Sequence, residues 1–285
     1  MIDDDDGGDD DRGPIAEIDA LDVERRAFDT ERAGFSLLRA AALLPRVEGR
    51  TVDVDGVELV VDGYAQQIAE RVERAGTVEA VFDVLFATAG FRGPEAEYDA
   101  PAHSFLDEVL ARKRGLPIAL SLILVEAATR AGLKAWGLAL PGHFLAGIFV
   151  NADRFAVMDP WAGGILLSPD AVAARAGVPA TELGEVLQPA TPHAVLVRML
   201  VNLAGSFTRR SLHQPLARTL DRLLLLRPVE PRLLLERAAV RRLLLDDDGA
   251  HQDLDEAEAL ADDDDALLRA AAALRAELER GRLVH

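Results

Sequence analysis

The segment from Pro117 to Ala131 constrains the fold more than any other part of this sequence. It is apolar nearly all round, and a helix without a polar face has to lie buried among other elements. Proline suits the first turn of a helix, where the N–H that it lacks is not needed, and Gly132 is a natural C-cap. We therefore predict a buried helix over this segment.

Three segments after this helix predict an antiparallel sheet. The apolar pattern changes its period there, and residues 136–140, 143–150 and 154–159 are typical of consecutive strands. Pro141-Gly142 and Asn151-Ala152-Asp153 supply the turns between them. A buried helix followed by an antiparallel meander predicts an α+β fold.

The chain before the buried helix is predicted to be mainly helical. Apolar residues recur at helical spacing between residues 15 and 48, and Pro45 ends that pattern. Further helices are predicted over Tyr64–Arg74, Val78–Ala87 and Phe105–Arg112.

The segment VDVDGVELVVDG, from Val52 to Gly63, differs from its helical neighbours. It alternates with period two around Asp55-Gly56, and this pattern predicts a small hairpin. The alternative is a loop that leads into the helix at Tyr64.

The first 14 residues predict a disordered acidic tail. They hold seven aspartates and three glycines, so like charges repel and nothing apolar can be buried.

The C-terminal part, from about Pro192, is predicted to be helical and contains a repeat. VEPRLLLERAAVR begins at Val229, and DDDALLRAAAALR begins at Asp263, which is 34 residues later. This offset is the period of tetratricopeptide helix pairs. A plain helical bundle is the alternative.

Charge and composition exclude several classes of protein. The net charge is −18, so no positive footprint for nucleic acid or an anionic membrane is visible, although basic partners are tolerated. Without cysteine there is no disulfide, thiolate metal site or thiol nucleophile. The apolar runs stop short of the roughly 20 residues of a membrane span, and the acidic start is unlike a secretory signal. We expect a cytoplasmic protein.

The stretch from Ser104 to Gly164 resembles the SirB-type branch of the transglutaminase-like superfamily. The matching pieces are a helix ending in Arg-Lys-Arg-Gly, a Gly-Leu-Pro-Ile-Ala-Leu helix start, a Pro-Gly-His-Phe-Leu strand entry and a Met-Asp-Pro-Trp strand exit. The resemblance implies a transglutaminase-like (papain-like) core over residues 15–190, including its helical lead-in. It also implies an all-α, tetratricopeptide-like region over residues 191–285.

Active members of this superfamily use a cysteine, a histidine and an aspartate. Carried over by motif, the histidine is His143, the acid is Asp159, and the cysteine position falls at Pro117. Proline offers neither a nucleophile nor an N–H. The branch typically shows Gly-Ile-Pro at this point, so the resemblance implies that the whole branch has lost the cysteine.

His143 and Asp159 are also candidates on their own, because each lies at a strand end of the predicted meander. A carboxylate beside a histidine fixes its tautomer and raises its pKa, which suits base chemistry. The alternative is a structural hydrogen bond that pins two strand ends.

Two further residues are candidates for the same site. Ser121 lies one turn after Pro117 on the same face and is either a substitute nucleophile or, more simply, a core hydroxyl bonded to a carbonyl of the preceding turn. Trp161 either lines a groove beside His143 and Asp159 or packs on the sheet. Two potential ligands are too few for a metal site, so we expect neither a metal nor another cofactor.

Three functions remain open from the sequence. The first is a non-catalytic interaction or regulatory protein, whose degenerate cleft recognises a peptide while its repeat helices present a surface to a protein partner. The second is a hydrolase or acyltransferase that uses His143 and Asp159 with an atypical nucleophile. The third is an architectural module of a larger complex. Pro117 at the nucleophile position favours the first.

Overall fold

A computed structural model describes residues 23–282 of the chain. The predicted acidic tail, residues 1–14, lies outside the described residues, as does the start of the helical lead-in. A short helix at residues 23–28 comes first. The helices that follow before the sheet are α1 (Leu37–Ala42), α2 (Val54–Ala75), α3 (Thr77–Val81), α4 (Leu106–Arg112) and α5 (Pro117–Arg130).

The strands and the remaining helices complete the fold. The strands are β1 (Ala135–Leu140), β2 (His143–Phe149), β3 (Phe155–Asp159) and β4 (Ile165–Leu167). The helices after the sheet are α6 (Pro169–Ala176), α7 (Leu183–Val186), α8 (Pro192–Arg209), α9 (His213–Leu226), α10 (Pro231–Leu243), α11 (Asp247–Ala259) and α12 (Asp265–Arg282). Within residues 23–282 there is no helix of the length and apolarity that a membrane crossing requires.

The sheet is an antiparallel meander in the order β1-β2-β3-β4. Its register pairs Leu138 with Leu145 and Ala146 with Met158. The predicted α+β fold is confirmed, and the three predicted strands are β1, β2 and β3. The fourth strand, β4, was not predicted, because it is only three residues long and shows no alternation.

The predicted buried helix is confirmed as α5. Most of its residues are buried, and it packs between the sheet on one side and α2 on the other. Phe144, Ala146 and Met158 project from the sheet into this main core. The core therefore forms where an apolar helix meets an apolar sheet face.

The opposite face of the sheet is covered by α6. Val172 and Ala173 of α6 pack against Leu140, Leu145 and Val157 of the first three strands. Because side chains alternate along a strand, each strand divides its residues between the α5 side and the α6 side.

The predicted hairpin at Val52–Gly63 is wrong, and so is the alternative loop. The segment belongs to α2, a single helix that begins at Val54. The Asp53 carboxylate caps it by accepting the N–H of Gly56 at 2.9 Å. Burial then follows the helical period, with four apolar residues on one face: Val57, Val61, Ala65 and Ile68.

The other upstream helices differ from prediction at their ends. The predicted helix Val78–Ala87 consists of α3 and a π-helix over Phe82–Thr88. The predicted helix Phe105–Arg112 begins one residue later, as α4. Pro45 lies inside a 3-10 helix, Leu44–Glu48, rather than at the end of a helical segment.

The C-terminal part is helical, as predicted, and its helices begin at a regular interval. The starts of α9 and α11, His213 and Asp247, are 34 residues apart, and so are the starts of α10 and α12, Pro231 and Asp265. The offset seen in the sequence is therefore an offset between whole helices.

The main core continues across position 190. Leu196, Met199 and Leu200 of α8 and Leu220 of α9 belong to the same hydrophobic cluster as α5. The last three helices add smaller clusters of their own around residues such as Leu254.

Candidate functional site

Pro117 is the first residue of α5, and the chain enters the helix there in an extended conformation. Leu116 precedes it with φ −66° and ψ 156°, and no side chain caps the helix start. The Leu116 N–H donates to the carbonyl oxygen of His103 at 2.8 Å. This bond fixes the tip of α5, where a superfamily nucleophile would lie, beside the 3-10 helix Pro101–His103.

His143 is the first residue of β2 and is exposed. Its backbone pairs with Leu140 across the first turn of the meander. Its ring makes no hydrogen bond or ion pair with any described residue. The next residue, Phe144, faces α5, so strand alternation places the His143 side chain on the α6 side.

Asp159 is the last residue of β3 and is buried. Its Oδ1 accepts the Ala162 N–H at 3.1 Å, and its Oδ2 lies 3.5 Å from Nη2 of Arg175 on α6. Its backbone carbonyl accepts the N–H of Gly164 at 2.9 Å. The carboxylate therefore holds the turn after β3 and links that turn to α6.

The structure places His143 and Asp159 on the same side of the sheet without a hydrogen bond between them. Val157, two residues before Asp159, packs against α6, as does Leu145, two residues after His143. The Asp159 carboxylate, which would orient the imidazole, instead contacts the guanidinium of Arg175 and the N–H of Ala162. The predicted catalytic role of the two residues stays a prediction.

Ser121 is completely buried between α5 and the sheet. Its hydroxyl donates to the carbonyl oxygen of Phe144 at 3.3 Å. The interpretation as a core hydroxyl fits this position, but its partner is a strand carbonyl and not a carbonyl of the preceding turn. Ser121 also lines a cavity of about 190 Å³ whose walls are mostly apolar.

Trp161 lies over the loop that precedes α4. Its carbonyl oxygen accepts the N–H of Gly93 at 2.8 Å, and its ring covers Gly93 so closely that a Cβ there would lie 2.1 Å from the indole Nε1. One part of the ring is thus packed, and the rest is exposed. The contact is thus with a loop, and the role of Trp161 in a groove beside His143 and Asp159 or in packing on the sheet stays a prediction.

Lys113, from the Arg-Lys-Arg-Gly motif, has a structural role that the sequence did not reveal. It adopts a left-handed conformation, φ 58°, at the end of α4. Its ammonium donates to the Tyr64 hydroxyl at 2.7 Å and to the Leu110 carbonyl, and lies 4.9 Å from the centre of the Phe91 ring. The motif therefore ties α2 and α4 to the loop beside Trp161.

Sequence reasoning also missed Arg175 and gave His103 no role. Arg175 carried no signal beyond its helical spacing, although it is the partner of Asp159. His103 is buried, and its Nδ1 has no hydrogen-bond partner among the described residues. Residues 23–282 contain no group of three or more His, Asp or Glu side chains that could hold a metal ion.

The buried helix packed on an antiparallel meander is the fold that the resemblance to the transglutaminase-like superfamily implies. Comparison with known proteins agrees, since the model of the Transglutaminase-like superfamily matches residues 55–201. This chain belongs to the transglutaminase-like superfamily.

Its relatives include several called UPF0162 protein. One from Xylella fastidiosa (strain Temecula1) is 34% identical over 202 residues, which cover 67% of this chain and 72% of the relative. One from Pseudomonas aeruginosa is 33% identical over 178 residues, which cover 59% and 63%. One from Vibrio cholerae is 28% identical over 99 residues, which cover 35% and 36%.

Proposed function

We propose that this chain is a non-catalytic member of its superfamily and binds a protein or peptide partner. The observation that carries the proposal is Pro117 at the first position of α5, in a chain of 285 residues without cysteine. The superfamily reaction depends on a thiolate at that helix start. A proline ring offers no atom that can replace it.

The contacts of Asp159 support the same proposal. In a working triad the carboxylate is the third group, and it orients the histidine that acts as the base. Here Asp159 contacts Arg175 and the N–H of Ala162, while the His143 ring has no partner among the described residues. A catalytic dyad would form only if the Asp159 carboxylate left Arg175 and turned to His143.

The SirB-type assignment and the tetratricopeptide-like region belong to this proposal as well. Support comes from helix starts that recur after 34 residues, first at His213 and Asp247 and then at Pro231 and Asp265. Stacked helix pairs of this kind present extended surfaces to partners. A chain without cysteine is compatible with a reducing compartment, and this supports the cytoplasm as the place where the protein acts.

A hydrolase that uses His143 is the second candidate, and one observation favours it. The imidazole is exposed and has no partner among the described residues, so it is free to take a proton from water or from a substrate hydroxyl. Asp159 and Trp161 would then line the substrate site.

Assays on the full chain distinguish the two candidates. The substrates are a fluorogenic peptide amide, p-nitrophenyl acetate, and casein with a fluorescent amine for transamidation. We expect no turnover above the buffer rate. The proposal would be overturned by turnover that His143→Ala abolishes and His193→Ala, on α8, retains. Circular dichroism has to show that both variants are folded.

Selection of random dodecapeptides displayed on phage tests the binding half of the proposal. The immobilised full chain is the bait, and an acidic protein without a transglutaminase-like domain is the matched control. Enrichment of peptides on the chain alone is expected. Selection that enriches nothing beyond the control contradicts a peptide-binding function.

A further inference from the structure

Three aromatic rings form a cluster on the α6 side of the sheet. The rings of Trp136, Phe149 and Phe155 contact one another, with centres 5.1, 5.3 and 6.2 Å apart. Leu138 and Val157 pack against α6, and they lie two residues from the first and the last of these rings along their strands. Strand alternation therefore places the rings on that same face, in agreement with the ring contacts.

A groove of about 490 Å³ lies beside this aromatic cluster. Two of the three rings line it, together with the chain before β1 and the chain after α7: Leu133, Lys134, Trp136, Phe149, Leu187 and Pro189. Small-molecule sites are typically clefts of about 300–1,000 Å³ with mostly apolar walls and a few polar groups. The groove has the size and the lining of such a site.

The Trp136 ring is held in place from two sides. Its Nε1 donates to the carbonyl oxygen of Leu187 at 3.3 Å. The ring also covers Gly147, where a Cβ would lie 2.5 Å from Cε2, so a side chain at this position would displace the ring. A wall that is fixed before a ligand arrives loses little conformational freedom on binding.

Lys134 is the only charged residue among the described residues that line the groove. Its carbonyl oxygen accepts the N–H of Phe149 at 2.9 Å, which places the lysine beside the end of β2. Its side chain is exposed, and its ammonium makes no hydrogen bond or ion pair with any described residue. The groove therefore offers an unpaired cation next to aromatic walls.

The range of electrostatic forces decides between an anionic and a cationic ligand. The chain as a whole carries −18, and aromatic rings can bind cations, so a cation is the alternative. Exposed charges more than about 8 Å apart are largely screened at physiological ionic strength. The lysine in the wall thus outweighs acidic residues elsewhere on the chain, and the groove favours an anion.

The size of the groove favours a small molecule over a protein partner. A stable protein interface takes about 20–30 residues from each side. Only eight residues line this groove. An aromatic ligand suits them, because it can pack edge-to-face or offset against Trp136 and Phe149.

We propose that this groove binds a small aromatic carboxylate. The ligand ring packs against Trp136 and Phe149, and its carboxylate pairs with the Lys134 ammonium. Thr129 of α5 also lines the groove, twelve residues after Pro117 and therefore about 18 Å along the helix. The inference goes beyond the proposed function and does not depend on it, since it uses none of the candidate catalytic residues.

Isothermal titration calorimetry with the full chain tests the ligand class. The probes share one ring system and differ in charge: 2-naphthoate, 2-naphthamide and 2-naphthyltrimethylammonium. At physiological ionic strength we expect 2-naphthoate to bind with a Kd below about 1 mM and at least threefold more tightly than either of the other probes.

Three variants that each lower the net charge by one locate the site. Lys134→Gln removes the cation, and Thr129→Glu adds a carboxylate to the wall. Gln252→Glu, at an exposed position of α11, makes the same charge change elsewhere. We expect Lys134→Gln to reduce 2-naphthoate to the affinity of 2-naphthamide, and Thr129→Glu to weaken it at least threefold. Gln252→Glu should stay within twofold of the parent, and circular dichroism confirms that all three are folded.

The indole N–H signals in a ¹H–¹⁵N NMR spectrum report where the ligand lies. The chain has two tryptophans, so Trp161→Phe assigns both signals. Addition of 2-naphthoate should shift the Trp136 signal and leave the Trp161 signal in place.

Several results would overturn the inference. These are no saturable binding of 2-naphthoate, tighter binding of the trimethylammonium probe, a preference for 2-naphthoate that survives Lys134→Gln, or a shift of the Trp161 signal alone. Equal losses in Lys134→Gln and Gln252→Glu would also overturn it, because bulk charge would then explain the binding.

Discussion

Glu24 and Arg222 form an ion pair that is almost fully enclosed. Oε2 of Glu24 lies 2.6 Å from Nε of Arg222, and the two side chains are 0% and 5% exposed. Within residues 23–282 no well-directed hydrogen bond reaches either oxygen of Glu24, and Arg46 approaches only to 3.8 Å. Burial therefore outweighs the nearby cations and raises the pKa of Glu24.

Removing one partner of this pair should be strongly destabilising. Arg222→Met leaves the Glu24 carboxylate buried without its counter-ion, and we expect the free energy of unfolding to fall by about 3–5 kcal/mol. Urea unfolding followed by circular dichroism measures the change. The double variant Glu24→Gln/Arg222→Met should lose less, because no uncompensated charge remains. Equal losses in the single and double variants would contradict the assignment.

Glu24 should also make stability depend on pH. Its pKa is higher in the folded chain than its ordinary value of 4.5, so the folded state keeps the proton up to a higher pH than the unfolded state. The stability that it contributes is complete below pH 4.5 and is lost as pH rises through the higher folded pKa. Glu24→Gln leaves Arg222 without its partner and should be less stable than the parent, but this deficit should shrink as pH rises from 4.5 to 7.5. Glu73→Gln, on the exposed face of α2, should follow the parent across this range.

Placing a thiol at position 117 tests whether the histidine reaches the helix tip. Pro117→Cys puts the only thiol of the chain at the first position of α5. Because His143 lies on the α6 side, we expect alkylation by iodoacetamide at pH 7 to proceed at the same rate, within twofold, in Pro117→Cys and in Pro117→Cys/His143→Ala. A loss of tenfold or more in the double variant would show an activating imidazole.

The close packing of Trp161 on Gly93 gives a spectroscopic prediction. A Cβ at position 93 would meet the indole, so Gly93→Ala should push the ring outward and shift its emission to longer wavelength. Trp136→Phe as the background leaves Trp161 as the only tryptophan. Because the ring is partly exposed and can move, we expect a loss of stability of only about 1 kcal/mol. An unchanged spectrum would contradict the contact.

Arg237 links three helices of the C-terminal region. It contacts Asp253 on α11 with two nitrogens, at 3.0 and 2.6 Å, and Asp221 on α9 at 2.7 Å. Arg237→Lys replaces the guanidinium fork with a single point charge, and we expect a loss of about 1–3 kcal/mol in urea unfolding. Arg232, on the same helix as Arg237, forms an exposed pair with Asp264 just before α12, and Arg232→Lys should leave the urea midpoint essentially unchanged.

The elements that the sequence predicts correctly are those with a single dominant period. The α5 segment is apolar on every face, and β1 to β3 alternate between two turns, so each pattern fits one structure. At Val52–Gly63 two periods coexist. The alternation of Val52 and Val54 suggests a strand, but Asp53 caps a helix and the apolar face continues from Val57 at helical spacing. The helix prevails because it buries more of these residues.

The candidate site is harder to predict because it depends on side-chain partners that lie far apart in the chain. The strand ends correctly place His143 and Asp159 at neighbouring strands. The contact of the Asp159 carboxylate depends on Arg175, which lies on α6, the helix that covers this face of the sheet. The residue types near Asp159 do not predict that contact. The same holds for Ser121, whose partner is on a strand 23 residues away.

The hydrophobic core that continues across position 190 decides which parts of the chain can fold without each other. Met199 and Leu200 of α8 are interior residues of the same core as α5. A chain cut before α8 would expose apolar surface of this core, so a fragment that is to fold with the sheet has to include α8 and α9 as well.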